Sequence, residues 1–86
     1  KVSVKNAKAT YELAFENFSI KKSNMELAEN IERKNQTKFS QGMASSFELR
    51  QAQKQLFNAQ QNYLESLKNL VTKKTELETL LNIYNN

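Results

Sequence analysis

The chain has 86 residues, a net charge of +4 and a narrow composition, with one Gly and no Pro, Cys, His, Trp or Asp. Without Cys, His and Asp, it has no disulfide framework, no Cys-based zinc site and no usual general base other than its nine Glu. One Gly also excludes a glycine-rich phosphate-binding loop, so we expect no enzymatic activity, cofactor or metal. With 38% hydrophobic residues, the chain alone has few side chains from which to build a globular core. Because it starts at Lys1 rather than Met, we expect it to be a segment of a longer protein.

Residues 2–41 follow a helical period with no breaking residue. A stripe of positions three and four residues apart is apolar at eight of eleven places and includes Tyr11, Phe18 and Met25. A second stripe beside it consists of Leu13, Ile20, Leu27 and Ile31. This spacing predicts one long helix with an unusually wide apolar surface.

A turn is predicted at about residues 39–46. Gly42 suits the left-handed backbone conformation that ends many helices. Three residues later, Ser45 and Glu48 match the S-x-x-E capping box that begins a helix. So short a connection predicts that the two helices are antiparallel neighbours.

Residues 46–84 repeat the helical pattern more regularly. Nine of eleven stripe positions are apolar over five heptads, which is typical of a coiled coil. The larger members of the stripe are Leu49, Leu56, Tyr63, Leu70 and Leu77. Here too a second stripe lies alongside, with Phe57, Leu64, Leu67, Val71 and Leu81.

We therefore expect an all-α chain: one long antiparallel two-helix coiled-coil hairpin over residues 1–86, with helices at about 2–41 and 46–84. Each arm would be about 57 Å long. Ala at alternate stripe positions would let the two axes approach closely. A two-helix hairpin covers one seam only, so the second stripes predict sideways packing against other helices. The alternative is a broad single seam that leaves some Leu exposed.

The polar surface has two open interpretations. Basic residues are spread along the chain, and several have a Glu one turn away, such as Glu29 with Arg33, which favours a solvated face over a phosphate-binding track. The neutral Gln and Asn of the second helix fit either an ordinary solvent-exposed face or the lining of a space that holds water and solutes. Phe39 and Phe47 bracket the turn, where they either pack across the tip or present it to a partner.

From the turn onward the residues follow an ordered series: an aromatic, a Gly, a small polar residue, an acidic–hydrophobic pair, and then repeated Ala-Gln, Leu and Tyr. The series reads Phe39, Gly42, Ser45, Glu48, Leu49, Ala52, Gln53, Leu56, Ala59, Gln60, Tyr63 and Leu64. It resembles the TolC-like outer-membrane efflux proteins, or outer membrane factors. The resemblance extends over nearly the whole chain.

This resemblance implies a piece of a homotrimeric channel whose protomers each supply two helical repeats to a twelve-helix periplasmic tunnel. The hairpin would be a fragment of that α-helical barrel, in the periplasmic portion of a Gram-negative outer-membrane protein. It would touch the membrane only through a β-barrel part outside these residues, and it would bind no nucleic acid. Its function would be to form the wall and entrance tip for multidrug efflux or type I secretion, with no chemistry on the substrate.

The resemblance also implies roles for particular residues. At the tip the tunnel docks a periplasmic adaptor protein and, through it, an inner-membrane pump, which together form a tripartite pump. The partner-binding tip would be Phe39, Gln41, Gly42, Met43, Ala44, Ser45, Ser46, Phe47 and Glu48. The helix-packing seam would be Tyr11, Phe18, Met25, Leu49, Leu56, Tyr63, Leu70 and Leu77. The charged network that locks some family members closed is not expected, because its two positions hold Ala44 and Gln51.

Two other functions stay open. The α-hairpin of a periplasmic adaptor protein has a similar tip, but it needs fewer lateral apolar positions and lacks a match for Tyr63 and the Leu-rich end. A generic coiled-coil scaffold or a nucleic-acid-binding hairpin belongs to a different class, and salt-sensitive binding to duplex DNA would identify the latter.

Overall fold

The structure, a computed structural model, describes residues 4–85, with side chains up to Ile83. Two helices, α1 (Val4–Ser40) and α2 (Ser46–Asn85), form an antiparallel hairpin of 65 × 17 × 13 Å. This confirms the predicted all-α hairpin. The predicted α1 extended one residue too far, because Gln41 belongs to the turn, and α2 continues one residue beyond the predicted end. Residues 2 and 3, also predicted to be helical, lie outside the described residues.

The seam between the helices is built on small residues. Ala7, Ala14, Ala52 and Ser66 are buried, whereas no large side chain among the described residues is fully buried. The eight larger residues expected at the seam are all half-buried. Small residues let the two helices approach closely at these positions, and the larger stripe residues are half-buried along the same seam.

One aromatic contact crosses the seam and defines its register. The ring centroids of Phe18 and Tyr63 are 5.4 Å apart, with planes inclined by 35°. In an antiparallel pair this contact places Met25 level with Leu56, and Ala14 level with Ser66. The buried Ser66 hydroxyl donates to the carbonyl oxygen of Tyr63 at 2.7 Å, so its polar atom is satisfied within α2.

α1 ends in a Schellman motif. The amide of Met43 donates to the carbonyl of Lys38 at 2.7 Å, and that of Gly42 donates to Phe39 at 3.0 Å. These two bonds define the motif. They require a residue with a left-handed backbone conformation between the end of α1 and Met43, the donor of the longer bond. Gly42 supplies it, with a φ of 73°.

α2 begins with the predicted capping box. The Ser45 hydroxyl accepts a hydrogen bond from the Glu48 amide at 3.1 Å, and the Glu48 carboxylate accepts one from the Ser45 amide at 3.3 Å. Two amides that the first helical turn leaves unpaired are thereby satisfied. The turn is thus held entirely by bonds within residues 37–49.

Replacement of Gly42 tests the cost of this backbone conformation alone. A Cβ at this position would meet nothing within 4 Å, so the penalty comes only from the positive φ. We expect Gly42→Ala to lower the free energy of unfolding by about 1 kcal/mol. Gly42→Asn should cost less, because Asn tolerates the left-handed region. Urea denaturation followed by circular dichroism measures both, and equal stability of all three chains would contradict the explanation.

Candidate functional site: the hairpin tip and two apolar flanks

The tip exposes three large apolar side chains. Phe39 is 43% exposed, Met43 72% and Phe47 62%. Packing of the two Phe rings across the tip, one of the two sequence interpretations, is therefore not what the structure shows. The observed exposure favours the other interpretation, in which the tip is presented to a partner.

The remaining predicted tip residues divide by the bonds they make. Ser45 and Glu48 have their side chains engaged in the cap of α2, and Gly42 shapes the turn. Ala44 is half-buried, whereas Gln41 and Ser46 are exposed. The three apolar side chains, with Gln41 and Ser46, are thus exposed and take no part in the cap of α2. Gly42, Ser45 and Glu48 hold the tip in shape.

The net charge of the chain is concentrated around the tip. Residues 33–54 contain five basic residues and one Glu, for a net charge of +4, and the other eight basic and eight acidic residues cancel. The five are Arg33, Lys34, Lys38, Arg50 and Lys54. Sequence reasoning treated the basic residues as evenly spread, and a net-charge count in a sliding window would have revealed this concentration.

The salt bridges expected from sequence spacing are not formed. Among the described residues the ion pair within 4.0 Å is Lys73 with Glu76, at 3.7 Å. Arg33 donates instead to the side-chain oxygen of Asn30 at 3.0 Å, and not to Glu29. With Lys34, Thr37 and Lys38, these two residues line an open cleft of about 340 Å³ on α1. The basic side chains near the tip are thus exposed, and none of them forms an ion pair within the described part of the chain.

The second stripe of α1 is exposed along the middle of the rod. Leu13 is 69% exposed, and the α1 flank, as we name this surface, consists of Leu13, Ile20, Leu27 and Ile31. Beside it runs an open groove of about 450 Å³. Its lining includes Leu13, Ala14 and Ile20 of α1 and Asn69 and Lys73 of α2.

The second stripe of α2 is exposed in the same way. Phe57 is 58% exposed, and the α2 flank consists of Phe57, Leu64, Leu67 and Val71. Leu67 is half-buried and the other three are exposed. Phe15, whose ring lies 6.5 Å from that of Phe18, is an exposed aromatic of α1 that the sequence analysis did not assign to either stripe. Apart from Leu67, the second stripes of both helices are thus exposed to solvent in the hairpin, as predicted.

The described residues offer little for chemistry. Residues 4–85 contain no group of three carboxylate, His or Cys side chains that could hold a metal ion. Within the same range no buried side-chain polar atom is without a hydrogen-bond partner. Neither described helix has a stretch that is long and apolar enough to cross a lipid bilayer.

No family model matches the chain, and no curated protein or solved structure matches it. The features of the hairpin that bear on its function are the exposed tip, the concentrated basic charge and the two apolar flanks.

Proposed function

We propose that the hairpin is a wall segment and entrance tip of a trimeric, TolC-like outer-membrane channel that serves efflux or secretion. The observation that carries the proposal is the pair of exposed apolar flanks, one on each helix, in addition to the seam between the two helices. A helix in a closed wall has neighbours on both sides and needs two apolar surfaces. A free-standing hairpin, such as that of an adaptor protein, needs only one.

The tip supports the docking part of the proposal. Three exposed apolar side chains lie at or next to the turn, which a Schellman motif and a capping box hold in one shape. A rigid apolar surface of this kind suits contact with a periplasmic adaptor, since little conformational entropy is lost on binding. The net charge of +4 around it would steer an adaptor whose docking surface is acidic.

The two positions of the family's charged lock hold uncharged residues in this chain, which fits a wall segment that carries no gate of its own. Ala44 and Gln51 occupy the two positions where some family members carry opposite charges. Both lie close to the capping box, whose bonds are within the hairpin. We infer that this segment contributes the shape of the entrance, and that any gating charge lies elsewhere in the parent protein.

Substitution at the tip of the full-length parent protein tests the proposal. In a Gram-negative host that lacks its own copy, Met43→Asp combined with Phe47→Asp should reduce export about tenfold or more, because two charges would have to be desolvated at the docking contact. Export is measured with the dyes, antibiotics or metal ions to which the deletion strain becomes sensitive. Adaptor binding is measured by cross-linking in the periplasm.

The matched control is Gln61→Asp, an exposed residue far from the tip. It should leave export and adaptor cross-linking unchanged. Full export by the double variant, or a parent protein found outside the outer-membrane fraction, would contradict the proposal. A parent protein anchored in the inner membrane would instead identify the adaptor alternative.

A further inference from the structure

Few side chains of this protein react readily with hydrogen peroxide. The chain has no Cys, and its two sulfur atoms belong to Met25 and Met43. A methionine thioether is oxidised to a sulfoxide, and the reaction is faster where solvent and oxidant can reach the side chain. The two methionines have the same chemistry, so the fold decides which of them is oxidised first.

The fold exposes one methionine and shields the other. Met43 lies in the turn and is 72% exposed, more than any other large apolar side chain in the described part of the chain. Met25 is half-buried on the seam, at the level of Leu56. The packing of α2 along the seam therefore limits access to Met25, whereas solvent surrounds most of the Met43 side chain.

The turn does not depend on the side chain of Met43. In the Schellman motif it is the backbone amide of Met43 that donates, to the carbonyl oxygen of Lys38 at 2.7 Å. Gly42 supplies the left-handed conformation, and Ser45 and Glu48 form the capping box. A side chain this exposed contributes little buried surface to the fold, so a change in its polarity should leave the hairpin folded.

We propose that Met43 is a site of reversible oxidation that regulates docking at the tip. In the reaction with hydrogen peroxide, the Met43 sulfur forms a bond to one peroxide oxygen, the O–O bond breaks, and the other oxygen leaves as water. The sulfur gives up two electrons and becomes a polar sulfoxide, which methionine sulfoxide reductases return to the thioether with two electrons from a dithiol. A partner that covers the exposed Phe39, Met43 and Phe47 would have to desolvate the sulfoxide oxygen, so docking weakens. This effect rests on the proposed docking function, whereas the preference for Met43 concerns the hairpin alone.

Hydrogen peroxide treatment of the chain itself tests the preference. Met25→Leu and Met43→Leu form a matched pair, because each variant retains one sulfur and a side chain of similar volume. Mass spectrometry follows the gain of one oxygen, which we expect to be roughly fivefold faster in Met25→Leu than in Met43→Leu. In concentrated urea the two rates should become equal, because the difference comes from the fold. Equal rates in the folded variants, or loss of helical circular dichroism on oxidation of Met43, would overturn the inference.

Adaptor cross-linking in the full-length parent protein tests the effect on docking, with each variant compared with its own untreated sample. Peroxide should lower cross-linking of Met25→Leu roughly fivefold, and sulfoxide reductases with dithiothreitol should restore it. Cross-linking of Met43→Leu should not fall on the same treatment, because position 43 then has no sulfur. An equal fall in both variants, or no fall in either, would overturn the regulatory role. Absence of cross-linking before any oxidation would contradict the proposed docking and this role together, and the oxidation rates would still decide the preference for Met43.

Discussion

Phe18→Ala is expected to lower the free energy of unfolding by about 3 kcal/mol, which is a large part of the stability of a two-helix hairpin. The ring of Phe18 packs on Tyr63 at 5.4 Å between centroids, and among the described residues this is the aromatic pair that joins the two helices. Its removal takes away both the buried apolar surface and the contact that defines the register. The half-buried position keeps the expected loss near the lower end of the range for Phe-to-Ala changes.

Phe15→Ala is the matched control, because it removes the same side chain from the same helix. Phe15 is exposed and makes its ring contact with Phe18 at 6.5 Å, outside the seam. We expect a loss below about 1 kcal/mol, measured by urea denaturation at a chain concentration low enough to suppress association. If the two variants lost equal stability, the seam would not be the principal source of stability.

Ala14→Leu should destabilise the hairpin by about 2 kcal/mol although it adds apolar surface. Ala14 is buried at the level of Ser66, which is buried as well, so small residues occupy both helices at this level of the seam. A Leu side chain would have to push the helices apart and would open the neighbouring contact between Phe18 and Tyr63. Thermal and urea denaturation of the variant measure the loss.

Ala9→Leu is the control for this change. Ala9 is exposed on the outer side of α1, so a Leu there meets no backbone. Its expected effect is within about 0.5 kcal/mol of zero. A Leu at position 14 that was neutral or stabilising would show that the seam is loose enough to accept larger side chains.

The fold was predictable because its determinants are local and periodic. The stripes through Tyr11, Phe18 and Met25, and their counterparts in α2, specify which face is covered. Gly42 and the Ser45–Glu48 pair specify where the chain reverses, and both appear in the structure in their expected roles. The one-residue error at the end of α1 arises because a Schellman motif places its Gly two residues beyond the last helical residue, and not directly after it.

Other features depend on relations that the sequence analysis did not consider. The Glu–Lys and Glu–Arg spacings suggested ion pairs, but exposed pairs of this kind gain little and long side chains adopt other positions, as Arg33 does with Asn30.

The self-contained turn has a consequence for the order in which the hairpin forms. Its stabilising bonds join residues at most five positions apart, so the turn can form before any contact across the seam. Once it exists, the residues nearest to it meet at the smallest cost in chain entropy, and each further level is brought within reach by the one before. The chain would therefore close progressively from Gly42 towards its two ends, and in a growing polypeptide this closure would begin only after the second arm had started to emerge.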